Sequence, residues 1–258
     1  MDAGEAGNPY APLNAFFDRA LVVTLHRATE RHERLPERLR GLRYELFWGT
    51  DKADLDLATL QAEGTYDDAR ARRATRYRKP MTLGQIGCSL SHRRIYELAI
   101  RNGWERVLVF EDDVAPRTGD LAMLGAALSE LPPGWDLVYL GYERGERARL
   151  RDRVKQAAYL GLATVGLHHW TPRQVRGLYP RPFSPHLRIA GKHHCTHAYG
   201  FTLAGARRML AAQTPVIYPS DQLLLHMCMA GELRAFITDP KFFDQDSLAQ
   251  RTPVYTGA

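Results

Sequence analysis

The stretch RVLVFEDDVAP, residues 106–116, decides the fold class of this 258-residue chain. Its apolar part, residues 107–110, has the length and composition of a buried β-strand. Three consecutive carboxylates, Glu111, Asp112 and Asp113, follow where that strand should end. Like charges this close repel one another, and burying them is costly unless a cation neutralises them. The stretch therefore predicts either a solvated turn or a cation site at the end of a core strand.

Outward from this stretch, apolar runs of strand length alternate with helical patterns. Strands are predicted at RALVVTLHR (19–27), YELFWGTD (44–51), WDLVYLG (135–141), PVIYP (215–219) and ELRAFIT (232–238). Helices are predicted up to residue 40, over 120–131 and 204–212, and from 220 onward. A further helix begins at the capping-box pair Thr82 and Gln85 and ends at Asn102-Gly103. This alternation predicts an α/β fold with a largely parallel central sheet flanked by helices.

The chain shows no internal repeat and no linker that divides it, so one domain over residues 1–258 is predicted. Residues 1–18 are predicted to be an N-terminal extension. Residues 142–192, rich in Pro, Arg and His, are predicted to be a loop-rich insertion, and residues 51–80 a short helix with a mobile loop. The absence of a signal-peptide pattern and the three scattered cysteines predict a reducing, cytoplasmic location.

The net charge of +6 comes largely from two arginine-rich stretches, ARARRATRYRK (69–79) and RGERARLRDRVK (144–155). Such stretches suit nucleic acid, an anionic membrane or phosphorylated substrates, and many are simply solvated loops. No helix-turn-helix, zinc-finger or aromatic-interleaved strand pattern accompanies them, so no nucleic-acid partner is predicted. A solvated loop and an anionic lipid or phosphate both remain open.

The position of the carboxylates favours the cation site over the turn. In open α/β sheets, ligands bind beyond the carboxyl ends of the strands. Glu111 and Asp113 are alternate residues whose side chains point the same way, so they can serve one ligand together. Oxygen ligands favour Mg²⁺ or Mn²⁺, which often take substrate phosphates as their remaining ligands. The spacing therefore predicts a divalent ion that binds a nucleotide diphosphate.

The order of motifs resembles glycosyltransferase family 25, which includes lipopolysaccharide galactosyltransferases and the collagen galactosyltransferase domain. The resemblance rests on LVVTLHRATERHERL, MTLGQIGCSLSHRRIYELAI, VLVFEDDV, DLVYLG, and THAYGFTLAGARRML with YPSDQLLL after it. These segments span about residues 21–225. Thr24 stands where the family usually has Asn, and His26 where Asp is common. Residues 142–192 match no part of the family pattern, so we expect them to form the acceptor side.

The resemblance implies a GT-A-like, inverting transferase. It would move a hexose from a UDP-sugar, galactose favoured and glucose next, to a hydroxyl of a glycan such as lipopolysaccharide or a lipid-linked precursor. It implies Mn²⁺ rather than Mg²⁺, bound by Asp113 and Glu111, with Glu111 or Asp112 reaching the metal shell or the donor ribose. Asp221 corresponds to an aspartate of the family's C-terminal motif and is the candidate base, with helix capping as its alternative role.

Six further residues are predicted by the resemblance to bind the nucleotide-sugar: Thr24, Leu25, Arg27, Arg31, Ser91 and His92. Arg27 and Arg31 suit bidentate phosphate contacts, with a solvated helix face as the alternative. His92 lies mid-helix, where a packing role is equally compatible with the sequence.

The histidine-rich segment KHHCTH (192–197) predicts no zinc site, because its spacing matches no usual closed zinc site. His197 is the member expected nearest the metal or the acceptor. Cys88 is expected to be a small buried residue.

Two other classes of protein are compatible with the sequence. One is a non-catalytic family relative that binds a glycan or a protein, which the intact FEDDV motif disfavours. The other is an unrelated metal-dependent nucleotidyl- or phosphotransferase, and the absence of a GxxxxGK[ST] loop counts against its common designs. The predicted location is the cytoplasm, with peripheral contact at the inner face of the plasma membrane through the basic stretches.

Overall fold

The computed structural model describes residues 7–74, 78–143, 145 and 147–246. Its strands are β1 (Arg19–Thr24), β2 (Glu45–Trp48), β3 (Arg106–Glu111), β4 (Val114–Pro116), β5 (Leu137–Glu143), β6 (Arg181–Pro182), β7 (Leu187–Ile189), β8 (His194–Thr202), β9 (Ala235–Thr238) and β10 (Phe243–Gln245). Its α-helices are α1 (Ala11–Phe16), α2 (Thr29–Arg38), α3 (Leu57–Ala62), α4 (Asp68–Ala74), α5 (Leu83–Asn102), α6 (Leu124–Ser129), α7 (Leu150–Thr164), α8 (Pro172–Arg176), α9 (Leu203–Ala212) and α10 (Ser220–Ala230).

The strands of the described residues form one ten-stranded sheet in the order β2-β1-β3-β8-β5-β9-β7-β6, with β10 pairing with β4 and β5. Strands β1, β2 and β3 are parallel, and so are β5 and β9. Strand β8 runs antiparallel between β3 and β5, with Phe110 opposite Ala198. The predicted α/β class is therefore confirmed, with a mixed sheet whose carboxyl-terminal strand ends mostly meet at one edge.

Strand β3 lies at the centre of the core because its side chains alternate between two apolar clusters. Leu108 and Phe110 belong to a cluster that includes residues of α1, α2 and α6. Val107 and Val109 belong to a second cluster, which includes residues of α5, α9 and α10. All four side chains are fully buried. Burial on both faces explains the continuous apolar run that precedes Glu111.

Helix α5 confirms its predicted boundaries. The Thr82 hydroxyl accepts a hydrogen bond from the Gln85 amide at 3.2 Å, and the Gln85 side chain accepts one from the Thr82 amide at 2.9 Å. Gly103 ends the helix in the left-handed conformation, with φ at 64°. Thr82 and Gln85 line the same cavity as Glu111, so the helix begins beside the carboxyl end of β3. Its buried residues pack on the sheet.

Four sequence-based expectations differ from the structure. Residues 142–192 contain the fifteen-residue helix α7 rather than mostly loop. The PVIYP segment forms a single bridge, between Tyr66 and Val216, instead of a strand. Strands β8 and β10 were not predicted. The described part of the predicted N-terminal extension belongs to the core, since Tyr10 and Leu13 are buried.

Within the two basic stretches, the residues outside the described ranges are Thr75, Arg76, Tyr77, Arg144 and Glu146. Among all the residues that the structure describes, no helix is both long enough and apolar enough to span a membrane.

Candidate active site

The middle carboxylate of the triplet, Asp112, points into the protein. Its Oδ2 accepts a hydrogen bond from the Thr24 hydroxyl at 2.6 Å, and its Oδ1 accepts one from Arg31 Nη1 at 2.5 Å. The hydrogen bond from Arg31 to Asp112 raises the pKa of Arg31. Thr24, Arg31 and Asp112 thus join β1, α2 and the end of β3. Thr24 and Asp112 are buried in this contact and the Arg31 side chain is half-exposed, so donor binding by these three residues stays a prediction.

The outer two carboxylates, Glu111 and Asp113, share one partner. Gln245 Nε2 donates to Glu111 Oε2 at 2.9 Å and to Asp113 Oδ1 at 3.3 Å. Thr196 donates to the other oxygen of Glu111 at 2.8 Å. Burial, together with the neighbouring charges of Asp113 and Asp221, raises the pKa of Glu111 to about 7. The pKa of Asp113 is also raised, chiefly by burial.

This arrangement fits a divalent cation. The Gln245 amide nitrogen, the donor atom, lies between the two carboxylates where a cation would satisfy both. A half-turn of the same amide would present its oxygen, in place of its nitrogen, to an ion bound by the two carboxylates. Within the described ranges, no three His, Cys, Asp or Glu side chains form an ion site alone. The residues present therefore suit an ion that completes its shell with substrate phosphates and water.

Asp221 lies with Glu111 on the wall of one cavity of about 540 Å³. Pro219 is the N-cap of α10, so Asp221 is in the first helical turn and is not the cap. Its Oδ1 accepts from the Gln222 amide at 2.8 Å, and its Oδ2 accepts from Gln222 Nε2 at 3.2 Å. Negative charge in a first turn is stabilised by the helix dipole, so this structural role of Asp221 stands beside the catalytic one.

Two cysteines also line this cavity. Cys88 is exposed there, which corrects the expectation that it is buried. Cys195 adopts a left-handed backbone with φ at 64°, and its thiol donates to Glu143 Oε2 at 3.7 Å. The strained conformation of Cys195 turns the chain just before Thr196, the residue that donates to Glu111.

A wider cleft of about 1520 Å³ adjoins the cavity. Gln85, Pro219 and Gln222 line both, so the two spaces meet at the start of α10. Part of the cleft wall comes from the segment 142–192, which was expected to form the acceptor side.

The remaining predicted donor residues lie near the end of β1. Arg27 forms a 2.6 Å ion pair with Asp51 and is largely exposed, so it remains accessible to a phosphate. Ser91 is buried and accepts a hydrogen bond from the Thr50 amide at 2.8 Å. Donor binding by Leu25 and Arg27 stays a prediction, whereas Ser91 holds the loop that follows β2.

His92 lies in the core of the protein. It is fully buried, and its Nδ1 lies 2.7 Å from the Tyr199 hydroxyl. Burial lowers the pKa of His92 to about 4, so it is neutral near pH 7. Its Nε2 is buried and has no hydrogen-bond partner among the described residues. A place for His92 in the donor pocket stays a prediction.

His197 is likewise buried, next to Thr196 in the chain, and its expected position near the metal or the acceptor stays a prediction. Burial lowers its pKa to about 4. Its Nε2 lies 3.1 Å from the Phe243 carbonyl oxygen, which accepts from the neutral ring. Through this contact β8 fixes β10, two residues before Gln245. His193 accepts from the Gly191 amide at 2.9 Å and belongs to a turn.

Sequence reasoning missed Thr196 and Gln245. Thr196 is the first residue of the segment THAYGFTLAGARRML, which resembles the family. Gln245 lies in a polar stretch with no recognised motif. The one available signal is that Gln245 has two acidic neighbours, Asp244 and Asp246, close to a short apolar pair. That signal is too weak to separate a ligand from a solvated tail.

The fold and the cavity point to a class of ligand. Paired carboxylates at the carboxyl end of a central strand, beside a wide cleft, suit a divalent ion together with a phosphorylated ligand. The sequence pattern of Glycosyltransferase family 25 (LPS biosynthesis protein) matches residues 17–224. The chain belongs to this family. Its α/β architecture agrees with the GT-A-like fold that the resemblance implied.

Individual relatives carry different activity labels. The chain is 29% identical to "Probable inactive glycosyltransferase 25 family member 3" of Bos taurus, covering 90% of this chain and 37% of that protein. It is 24% identical to "Procollagen galactosyltransferase 1" of Danio rerio, covering 87% and 35%. The chain thus spans little more than a third of these relatives. A solved structure, mouse xyloside xylosyltransferase 1 in its apo form, aligns at 12% identity, 91% and 72% coverage, and TM-score 0.34.

Proposed function

We propose that this chain is an inverting UDP-sugar-dependent hexosyltransferase, with galactose favoured and glucose next. The observation that carries the proposal is the meeting of Glu111 and Asp221 on the wall of one cavity that opens beside a wide cleft, with Asp113 joined to Glu111 through Gln245. Family membership supports a nucleotide-sugar donor and a glycan acceptor. The name of the zebrafish relative supports galactose, and the family's description supports a lipopolysaccharide-type acceptor. The names of the inactive relatives favour the non-catalytic alternative instead.

In this proposal Asp113 and Glu111 hold the divalent ion, Mn²⁺ in preference to Mg²⁺, with Gln245 as an additional oxygen ligand. When bound, such an ion neutralises the negative charge that develops on the departing diphosphate. Thr196 keeps the Glu111 carboxylate in place through its 2.8 Å hydrogen bond. Arg27 lies at the end of β1 and contacts the donor phosphates.

Asp221 is the proposed base. Inversion requires a carboxylate on the acceptor side that accepts the proton of the attacking hydroxyl. The two hydrogen bonds from Gln222 fix the orientation of Asp221, and its neighbour Pro219 borders both the cavity and the cleft. The acceptor oxygen then forms a bond to the anomeric carbon while the bond to UDP breaks.

The first test is release of UDP from a panel of UDP-sugars with Mn²⁺, with and without a chelator. We expect slow hydrolysis of one donor that the chelator abolishes. Asp221→Asn should reduce transfer by about 10²–10⁴-fold, the range for loss of a general base, and retain the thermal shift caused by UDP with Mn²⁺. Glu232→Gln, an exposed carboxylate just after α10, is the control. If UDP with Mn²⁺ causes no thermal shift in the wild type, the transferase proposal fails in favour of the non-catalytic alternative.

The acceptor side of the proposal includes an anionic membrane. Helix α7 exposes an apolar stripe, with exposed fractions of 82% for Leu150, 66% for Val154 and, just past its end, 67% for Val165. The opposite face attaches to the protein through Gln156, which donates to the Val175 carbonyl at 2.7 Å. Basic residues flank the stripe: Arg149, Arg151, Arg153 and Lys155. An apolar helix face flanked by cations suits an anionic lipid surface and a lipid-linked acceptor. The cytoplasmic location stays a prediction.

This contact predicts that the protein sediments with vesicles containing anionic lipid and much less with neutral vesicles. Leu150→Ser/Val154→Ser should reduce the bound fraction several-fold, because it removes apolar area from the exposed stripe. Leu57→Ser, an exposed leucine on α3, is the matched control. Failure to sediment with anionic vesicles would contradict the contact, as would loss of a dimer in the double variant by light scattering.

A further inference from the structure

The wide cleft is lined by cationic side chains, mostly on the side formed by α7 and the loop before it. Five cationic side chains line it: Arg147, Arg149, Arg151, Lys155 and Lys192. Among the described residues that line the cleft, Asp152 is the sole carboxylate. Its Oδ2 accepts a hydrogen bond from the Arg149 amide at 2.8 Å, so it serves the start of α7. The cleft therefore presents a strong positive potential to any ligand.

Two of the lysines lie over aromatic rings. Lys155 Nζ is 5.4 Å from the centre of the Tyr159 ring, and Lys192 Nζ is 4.9 Å from the centre of the Trp170 ring. Arg147 Nε lies 3.1 Å from Asp239 Oδ2, so this cation is already paired with a carboxylate. The two lysine ammonium groups are thus held in position by ring faces.

Aromatic side chains form the rest of the recognition surface. Tyr159, Trp170, Tyr179 and Tyr218 all line the cleft and are all partly exposed. A sugar ring presents apolar C–H faces that pack on aromatic rings, and its hydroxyls remain available for polar contacts. Cations and aromatic rings in one cleft match a ligand that is both a sugar and an anion.

We propose that this cleft is an acceptor subsite for a sugar that carries a phosphate or carboxylate group. The proposal rests on the proposed transferase function, because it assigns the acceptor of that same site. The cleft meets the carboxylate cavity at Gln85, Pro219 and Gln222, next to Asp221. A sugar bound against Trp170 and α7 can thus extend a hydroxyl toward the proposed base. The anionic group selects the acceptor and also orients it.

The donor is a poor match for this subsite. The diphosphate of a nucleotide-sugar belongs with the metal-binding carboxylates, Glu111 and Asp113, and neither of these lines the cleft. Helix α7 and the loop that precedes it supply most of the cations. The cationic character of the cleft therefore comes mostly from the segment 142–192.

The test measures binding of three probes by titration calorimetry: methyl glucoside, methyl glucuronide and methyl glucoside 6-phosphate. We expect at least one charged probe to bind about tenfold more tightly than the neutral one, with an advantage that salt reduces. Arg151→Gln/Lys155→Gln should remove most of that advantage. Trp170→Ala should weaken all three probes. Arg207→Gln, an exposed arginine on α9, is the control for charge alone.

The outcomes distinguish a phosphate from a carboxylate as the anionic group of the acceptor. They also distinguish failure of the subsite proposal from failure of the transferase proposal. Preference for the phosphate probe indicates a phosphorylated glycan, and preference for the glucuronide indicates a uronic acid. Equal binding of all three probes, or no binding of any, overturns the inference. An unchanged unfolding midpoint shows that the double variant is folded. If the charged probes bind but the wild type neither binds UDP with Mn²⁺ nor releases it from any donor, the subsite stands and the transferase proposal fails.

Discussion

Glu111→Gln and Asp113→Asn are each expected to reduce UDP-sugar turnover by at least about 100-fold, since each removes one charged ligand of the proposed ion. The two variants should also lose the thermal stabilisation that Mn²⁺ gives the wild type, because an ion that binds only the folded state stabilises it by mass action. Turnover with Mg²⁺ should fall in parallel. Retention of more than about a tenth of wild-type turnover by either variant would contradict the proposed metal site.

The same substitution of Glu111 should stabilise the protein without metal. Folding raises the pKa of Glu111 from its ordinary 4.5 to about 7, chiefly through burial. As pH rises, the unfolded chain therefore releases this proton first. The contribution of Glu111 to the free energy of unfolding is greatest below pH 4.5 and is lost as pH rises to about 7. Above pH 7 the buried charge remains as a cost that Gln avoids.

Calorimetric unfolding in chelator at pH 5 and pH 8 measures this effect. Glu111→Gln should gain about 1–2 kcal/mol over the wild type at pH 8 and little at pH 5. Metal affinity of the wild type should weaken below pH 7, because protons then compete for Glu111. A variant that is less stable than the wild type at pH 8 in chelator would show that Glu111 is a structural residue.

In contrast to Glu111→Gln, Asp112→Asn is expected to lower the free energy of unfolding by a large amount. Asp112 is almost fully buried, and both of its oxygens accept hydrogen bonds, from Thr24 and Arg31. Replacing one oxygen by an NH₂ group removes the charge that pairs with Arg31, and the new donor cannot accept the hydrogen bond that the Thr24 hydroxyl donates to Asp112. Breaking a buried pair costs about 3–5 kcal/mol, and the half-exposed Arg31 reduces this to about 2–3 kcal/mol.

Urea unfolding at pH 7 measures that loss, with Glu45→Gln as the control. Glu45 pairs with Arg19 at 3.6 Å, and both side chains are exposed, so its loss should cost less than about 1 kcal/mol. Because Asp112 is not a proposed metal ligand, Asp112→Asn should still gain stability from Mn²⁺. Equal stabilities for Asp112→Asn and Glu45→Gln would mean that the contact with Thr24 and Arg31 contributes little to folding.

The sequence predicted those parts of the site that lie close together along the chain. Glu111 and Asp113 follow a continuous apolar strand, and their spacing alone places them on one side. Thr24 and Asp112 are 88 positions apart, and no local pattern reveals their hydrogen bond. The structure shows that Thr24 and Arg31 bind the middle carboxylate, whereas the outer two share Gln245.

The elements that were missed have short or unusual patterns. Strand β10 has three residues, too few to show an alternation of polar and apolar side chains. Strand β8 is interrupted by His197 and Thr196, polar residues that the fold buries with partners. Helix α7 carries its apolar residues on the outward face, so its pattern of burial is the reverse of an ordinary surface helix.

The placement of β8 between β3 and β5 has a consequence for the order of assembly during synthesis. The two earlier strands cannot hydrogen-bond across the gap until a strand made much later is inserted. Contacts between such distant segments close slowly, because long loops must be ordered first. Gln245 arrives later still, on β10. In a ribosome-bound chain that ends before residue 243, the carboxylates therefore lack their shared amide, and the proposed metal site would be completed last.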